Sequence, residues 1–242
     1  MKQLSGNKKK QAFSLFFILG GLFIASLVSC NLIFQKFFFW SPFSFLPEDW
    51  GAIQEFTFEI SVGILPYPIT FLITDLISEI FGRKKANLVV VSGLVAALFT
   101  LLVVSVSDAV PATSWSPVND TMFTKVFGLT GVAVGASMLA YLFAQLIDVR
   151  LFHFWKNLTG GKYLWIRNNF STMGSQLIDT STVLVLLCTA GAIAWDQFFN
   201  LLLSGFLFKV IVALFDTPIF YLVTFWARKH FALQLGEEIS LD

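Results

Sequence analysis

Six predominantly apolar stretches, at about 13–35, 56–80, 86–107, 127–149, 170–193 and 198–226, set the limits on what this chain can fold into. A helix needs roughly 20 such residues to cross a bilayer. In hydrocarbon only a helix or a closed barrel satisfies its own backbone. Composition agrees: 56% of residues are hydrophobic and 13% are charged, where a soluble domain carries about 25% charged residues. The expectation is an all-α, polytopic integral membrane protein with six transmembrane helices. Residues 1–12 form a basic N-terminus, 13–226 one six-helix domain, and 227–242 a tail. The basic start runs into an apolar stretch with no small-residue cleavage pattern, which reads as a first spanning helix rather than a removed signal peptide.

Lysine and arginine set the orientation. Thirteen of the sixteen fall in alternate connections or at the ends: Lys2, Lys8, Lys9, Lys10, Arg83, Lys84, Lys85, Arg150, Lys156, Lys162, Arg167, Arg228 and Lys229. Only Lys36 and Lys125 fall on the opposite side, and Lys209 lies inside the last segment. By the positive-inside rule both termini and the tail are cytoplasmic. Trp40–Glu55 and Asp108–Lys125 are then external loops, and Arg150–Asn168 is a cytoplasmic loop. Pro66 and Pro68 fall in the middle of the second segment, where each removes a backbone donor and kinks or opens a helix. Gly131 and Gly135 form a GxxxG pattern that permits close helix packing.

Against this apolar background the polar residues stand out. Asp75 and Glu79 are four apart, on one helical face. Gln145-Leu-Ile-Asp148 recurs as Gln176-Leu-Ile-Asp179, and Asp-Thr occurs at Asp179-Thr180 and Asp216-Thr217. With Lys209 these groups converge at one depth, between the midplane and the cytoplasmic leaflet, as a pocket between helices would require. Ionisable groups inside a membrane are costly and mark functional sites by default. Plainer roles compete. Glu79 has Arg83 one turn away, and Asp148 has Arg150 close by. Lys209 can pair with Asp216 or neutralise a carboxylate on another helix. Gln145 and Asn31 suit interhelical hydrogen bonds. Asp179 and Gln176 have no cation near them in sequence.

Other chemistries find no support. There is no Walker A motif, no HExxH and no cysteine cluster, since Cys30 and Cys188 each sit in an apolar run. No metal site, no cofactor and no enzymatic reaction is expected. An aspartyl hydrolase would need two carboxylates about 3 Å apart sharing a proton, and no intramembrane protease motif accompanies the aspartates. His153 and His230 read as cytoplasmic surface residues. Asn119-Asp-Thr121 and Asn157-Leu-Thr159 match the short glycosylation pattern, which carries little weight.

Several motifs together resemble the queuosine precursor transporter family, also described as the vitamin uptake transporter family. They are Pro68, Thr74-Asp75, Glu79 and Phe81-Gly82-Arg83-Lys84-Lys85-Ala86, then Ala144-Gln145-Leu-Ile-Asp148 and Thr159-Gly160-Gly161-Lys162. Arg167-Asn168, Ser171-Thr172-Met-Gly-Ser175-Gln176-Leu-Ile-Asp179-Thr180 and Asp216-Thr217-Pro218-Ile-Phe-Tyr221 follow in the same order. The resemblance covers about residues 60–226. It implies a fold similar to the substrate-binding subunits of energy-coupling-factor importers. It also implies import, across the cell inner membrane, of a small 7-deazaguanine substrate for tRNA modification: queuine, the aminomethyl base or the nitrile base. The alternative is a membrane subunit that needs a separate ATPase module. Partners would be the lipid bilayer and the small molecule, not nucleic acid, with a homodimer as the open oligomeric choice.

The substrate-site set is accordingly Asp75, Glu79, Gln145, Asp148, Gln176, Asp179 and Asp216, with Lys209 as ion-pair or coupling residue. A deazaguanine presents adjacent N–H donors, which a carboxylate can accept together, while an amide can meet its carbonyl. Asp179 and Gln176 are expected on that edge. Asp75 or Glu79 is expected on the cationic amine or a coupled proton.

Overall fold

The computed structural model describes residues 2–34, 36–45, 47–53, 57–128, 131–189, 191 and 194–241. Its long helices are α1 (Gly6–Ile33), α2 (Tyr67–Phe81), α3 (Arg83–Ala109), α5 (Gly131–Leu158), α6 (Leu164–Thr189) and α7 (Phe198–Phe231), with a short α4 (Asp120–Phe127). Two small sheets complete it. Strand β1 (Lys2–Gln3) lies parallel to β4 (Ile239–Ser240), and β2 (Phe37–Trp40) is antiparallel to β3 (Phe58–Ser61). By length and composition Gly6–Ile33, Val62–Phe81, Arg83–Ala109 and Trp195–Phe231 are apolar enough to cross a membrane. Helix α6 is as long but carries Asn, Ser, Thr, Gln and Asp between Asn168 and Asp179, which dilutes its hydropathy.

The second segment does not run as one helix from residue 56. Residues 58–61 pair with 37–40, a 3-10 turn over Val62–Ile64 follows, and α2 begins at Tyr67. Pro66 is its N-cap and Pro68 lies in its first turn. The prolines therefore start the helix rather than break it, because the first-turn N–H groups have no intrahelical acceptor to lose. Helix α2 is buried almost all round, as a central helix must be. It ends at Gly82, whose φ of +83° is a conformation glycine adopts without steric cost. A Cβ there would also run into the Glu238 carboxylate.

The expected cytoplasmic loop Arg150–Asn168 is mostly helix. Helix α5 continues to Leu158 and α6 starts at Leu164. Two of its cations, Lys156 near the end of α5 and Arg167 near the start of α6, are buried. The connection 108–125, expected to be an external loop, also contains structure. Asn119 caps α4 by accepting from the Met122 N–H at 2.9 Å. Gly131 and Gly135 open α5 in turns whose side-chain environment lies outside the described residues. Pro218 sits inside α7, which stays continuous.

Helices α5, α6 and α7 pack in succession, α1 packs on α2 and α3, and α2 contacts α7, α5 and α6. The core is aromatic and aliphatic, with Phe23, Phe71, Ile77, Phe81, Phe152 and Phe220 fully buried. The tail folds back. Ile239 and Leu241 are buried, and the Lys2 backbone N–H donates to the Glu238 carbonyl at 2.6 Å.

Close approach between α1 and the 62–64 turn depends on Gly63. A Cβ there would lie 2.8 Å from the Cys30 carbonyl oxygen and 2.9 Å from Phe34 Cα, and backbone cannot yield as a side chain can. Gly63→Ala is expected to cost on the order of 1–3 kcal/mol, read as a lower melting temperature in detergent. Gly21→Ala, with no atom within 4 Å of the added Cβ, is expected to leave it unchanged.

Candidate functional site

The polar residues separate into a cleft and two sealed clusters. Helix α2 contributes Pro68, Phe71 and Leu72 to the cleft, α6 contributes Asn168, Thr172 and Gln176, and α7 contributes Lys209, Ala213 and Asp216. Asn168, Thr172 and Gln176 are spaced i, i+4, i+8, which aligns them on one face of α6. Gln176 is buried and its Oε1 has no partner. Asp216 is half-buried. The cleft is narrow, with room for about one water between its walls.

Asp179, expected to lack a cation, has one. Lys209 Nζ donates to its Oδ2 at 2.8 Å, and the Tyr67 hydroxyl donates to the same oxygen at 2.5 Å. Lys209 also donates to Thr180 Oγ1 at 3.0 Å and lies 4.6 Å from the centre of the Tyr67 ring. The pairing links α6 to α7, so the sequence-local alternative of Lys209 with Asp216 is not what forms. Lys209 could not be assigned a partner from spacing, because its carboxylate lies 30 residues away on another helix.

The repeated Gln-Leu-Ile-Asp motif serves two purposes. On α5, Gln145 Nε2 donates to Thr70 Oγ1 at 3.1 Å and to the Tyr141 hydroxyl at 2.9 Å, and its Oε1 accepts from Thr74 Oγ1 at 3.2 Å. That side chain is saturated and ties α5 to α2. On α6, Gln176 keeps a free acceptor on the cleft. Asp148 accepts from Ser175 Oγ at 2.9 Å through one oxygen, and its other oxygen has no partner. Asp75 is fully buried with neither oxygen hydrogen-bonded, and it lies close enough to Asp148 for the carboxyl groups to interact directly. This pair does not line the cleft.

Glu79 forms the third group. Its Oε1 lies 2.6 Å from Arg167 Nη2 and 2.6 Å from Arg228 Nη2, and Lys156 Nζ is 3.7 Å from Oε2. Lys156 also pairs with Glu238 at 2.9 Å. Arg167 turns another nitrogen to the Gly161 carbonyl at 2.8 Å. Arg83, the partner suggested by spacing, is exposed. Sequence reasoning did not place Tyr67, Asn168, Thr172 or the three cations around Glu79 in the site, although Arg167, Asn168 and Thr172 stood in the family motifs. The i, i+4, i+8 run from Asn168 was the available signal for two of them. Among the described residues no group of histidine, cysteine and acids is arranged to hold a metal ion.

Long apolar helices enclosing a polar cleft and internal ion pairs are the features of a polytopic α-helical membrane protein. The chain belongs to the family described as "Putative vitamin uptake transporter", whose model matches residues 61–223 and so takes in every cleft residue. It is thus a member of a transporter family, not of an enzyme family. It is 29% identical over 172 residues to a protein of Bacillus subtilis (strain 168) named "Probable queuosine precursor transporter", covering 70% of this chain and 74% of that one. A protein of Haemophilus influenzae with the same name is 29% identical over 137 residues, covering 54% of this chain and 52% of that one. No solved structure matches the chain.

Removing one partner of a buried ion pair strands the other. Glu79→Ala is expected to destabilise by on the order of 3–5 kcal/mol, seen as lost thermal stability in detergent. Arg83→Ala, at an exposed position, is expected to stay within about 0.5 kcal/mol.

Proposed function

We propose that the chain imports 7-deazaguanine precursors of queuosine across the cell inner membrane, binding the base in the α2–α6–α7 cleft. The observation that carries this reading is the unpartnered Gln176 Oε1, buried on the cleft wall opposite Phe71 in a member of a transporter family. The names of the two relatives support the substrate class. The six long helices and the segregation of Lys and Arg support six crossings with both termini cytoplasmic. In this reading the architecture is like that of the energy-coupling-factor substrate-binding subunits, and the chain turns over without a separate ATPase module.

In this reading Phe71 offers a ring face to the planar base. Gln176 Oε1 and the Asp216 carboxylate accept its N–H donors, and Asp216 also suits the amine of queuine or the aminomethyl base. Asp179 acts indirectly, by holding Lys209 at the rim. The cleft must widen to admit a base, so α6 and α7 separate from α2 during transport. Asp75 and Asp148 form the coupling site. Two adjacent carboxylates, both fully buried, cannot both stay charged without a proton or cation between them.

Gln176→Leu is expected to lower uptake of labelled base about tenfold, the value of one buried hydrogen bond, while thermal stability is kept. Gln145→Leu is expected to do the reverse, costing about 1–3 kcal/mol of stability by stranding Thr70, Thr74 and Tyr141. Asp216→Asn is expected to weaken uptake of the cationic bases more than that of the nitrile base. Wild-type uptake by a stable Gln176→Leu protein would remove the cleft from the transport route.

A further inference from the structure

A second hollow, of about 370 Å³, opens at the basic end of the bundle, away from the cleft. It lies between the connection into α6 and the last turns of α7, beside Leu235. A volume of this size is in the range of ligand sites. Its polar side chains are donors. Thr224 lines it, is 1% exposed, and its hydroxyl has no partner. The Tyr221 hydroxyl accepts the Trp165 backbone N–H at 3.1 Å, which leaves its own proton free to donate. Arg228 forms the rear wall, a quarter exposed, with one nitrogen committed to Glu79.

The charge behind that wall is unbalanced. Among the described residues Arg167, Arg228 and Lys156 pair with two acids, Glu79 and Glu238, so these pairs leave one positive charge over. Donors plus surplus positive charge suit an anion. They do not suit a deazaguanine edge, whose adjacent N–H groups need acceptors such as those of the cleft. The remaining walls are apolar and open outward. Trp165, Phe225 and Leu235 are exposed, and Leu222 continues the apolar surface along α7. An inorganic anion gains nothing from such walls, whereas an anion on an acyl chain does.

We propose that this hollow binds the phosphate headgroup of an anionic phospholipid, with the acyl chains lying along α7. On the orientation proposed above, the lipid belongs to the cytoplasmic leaflet, where basic pockets between helices take such headgroups. The phosphate oxygens accept from Arg228, Thr224 and Tyr221. The lipid thereby steadies the ends of α6 and α7, two of the helices that form the cleft.

The test uses the full chain purified in detergent, with Thr224→Val plus Tyr221→Phe as the variant, since it removes two donors and leaves the Glu79 ion pairs in place. Retained lipid is counted by native mass spectrometry after adding phosphatidylglycerol, phosphatidylcholine or inorganic phosphate. The expected result is that wild type retains phosphatidylglycerol at least about fivefold over phosphatidylcholine. The variant is expected to lose that preference while melting within about 2 °C of wild type without lipid. Equal retention of the two lipids, or an undiminished preference in a folded variant, would overturn the site. If inorganic phosphate displaces phosphatidylglycerol and protects wild type equally against heat, the lipid is the wrong source. Should the variant not fold, Thr224→Val alone is read by the same preference. No transport is measured, so the outcome is independent of the substrate reading.

Discussion

A carboxylate withdrawn from water must be met by opposite charge or by a proton, and Glu79 shows what that demands of a bundle. Three cations from α5, α6 and α7 converge on one side chain of α2. The helices that form the cleft are therefore held together at one end by electrostatics rather than by apolar packing alone. The tail joins the same network through Glu238 and Lys156, and the buried Ile239 and Leu241 anchor it. In the transport cycle proposed above, moving α6 or α7 relative to α2 strains these pairs, so the cluster favours the arrangement seen here.

Polar groups elsewhere in the span fall on a gradient of satisfaction. Gln145 is saturated and acts as a tie between helices, and Asp179 is held through Oδ2 by Lys209 and Tyr67. Gln176, Asp75 and Asp148 keep unpartnered oxygens in buried surroundings. Leaving a buried acceptor unmade costs about 1–3 kcal/mol, a cost that structure alone gives no reason to bear. Gln176 faces the cleft and is suited to a ligand's donors, while Asp75 and Asp148 face each other and are suited to a proton or cation. The proposed binding and coupling groups thus lie on different helices, Gln176 on α6 and the Asp75–Asp148 pair on α2 and α5.

Much of this was legible in the sequence, and the failures have physical causes. The long apolar helices follow from hydropathy, and the family follows from ordered motifs between Pro68 and Tyr221. The helix boundaries were less legible. Pro66 and Pro68 read as a kink or opening inside one helix, whereas the pairing of 58–61 with 37–40 makes them its start. The connection between α5 and α6 looked like a loop because it is basic, yet Lys156 and Arg167 are basic in order to meet Glu79. Partners of buried charges were the least legible. Glu79 and Asp179 pair with cations on other helices, so spacing arguments pointed to Arg83 for the first and to no cation for the second.

The central claim is that a cleft of acceptors selects a base with adjacent N–H donors and delivers it across the membrane without a second protein. Competition uptake into vesicles containing only this chain tests it most directly. Labelled queuine would be challenged by the aminomethyl base, the nitrile base, guanine and hypoxanthine. The account predicts uptake by the chain alone, with at least one 7-deazaguanine base competing far better than hypoxanthine, which lacks the exocyclic amino donor. No uptake without an added ATPase module, or equal competition by hypoxanthine, would contradict it.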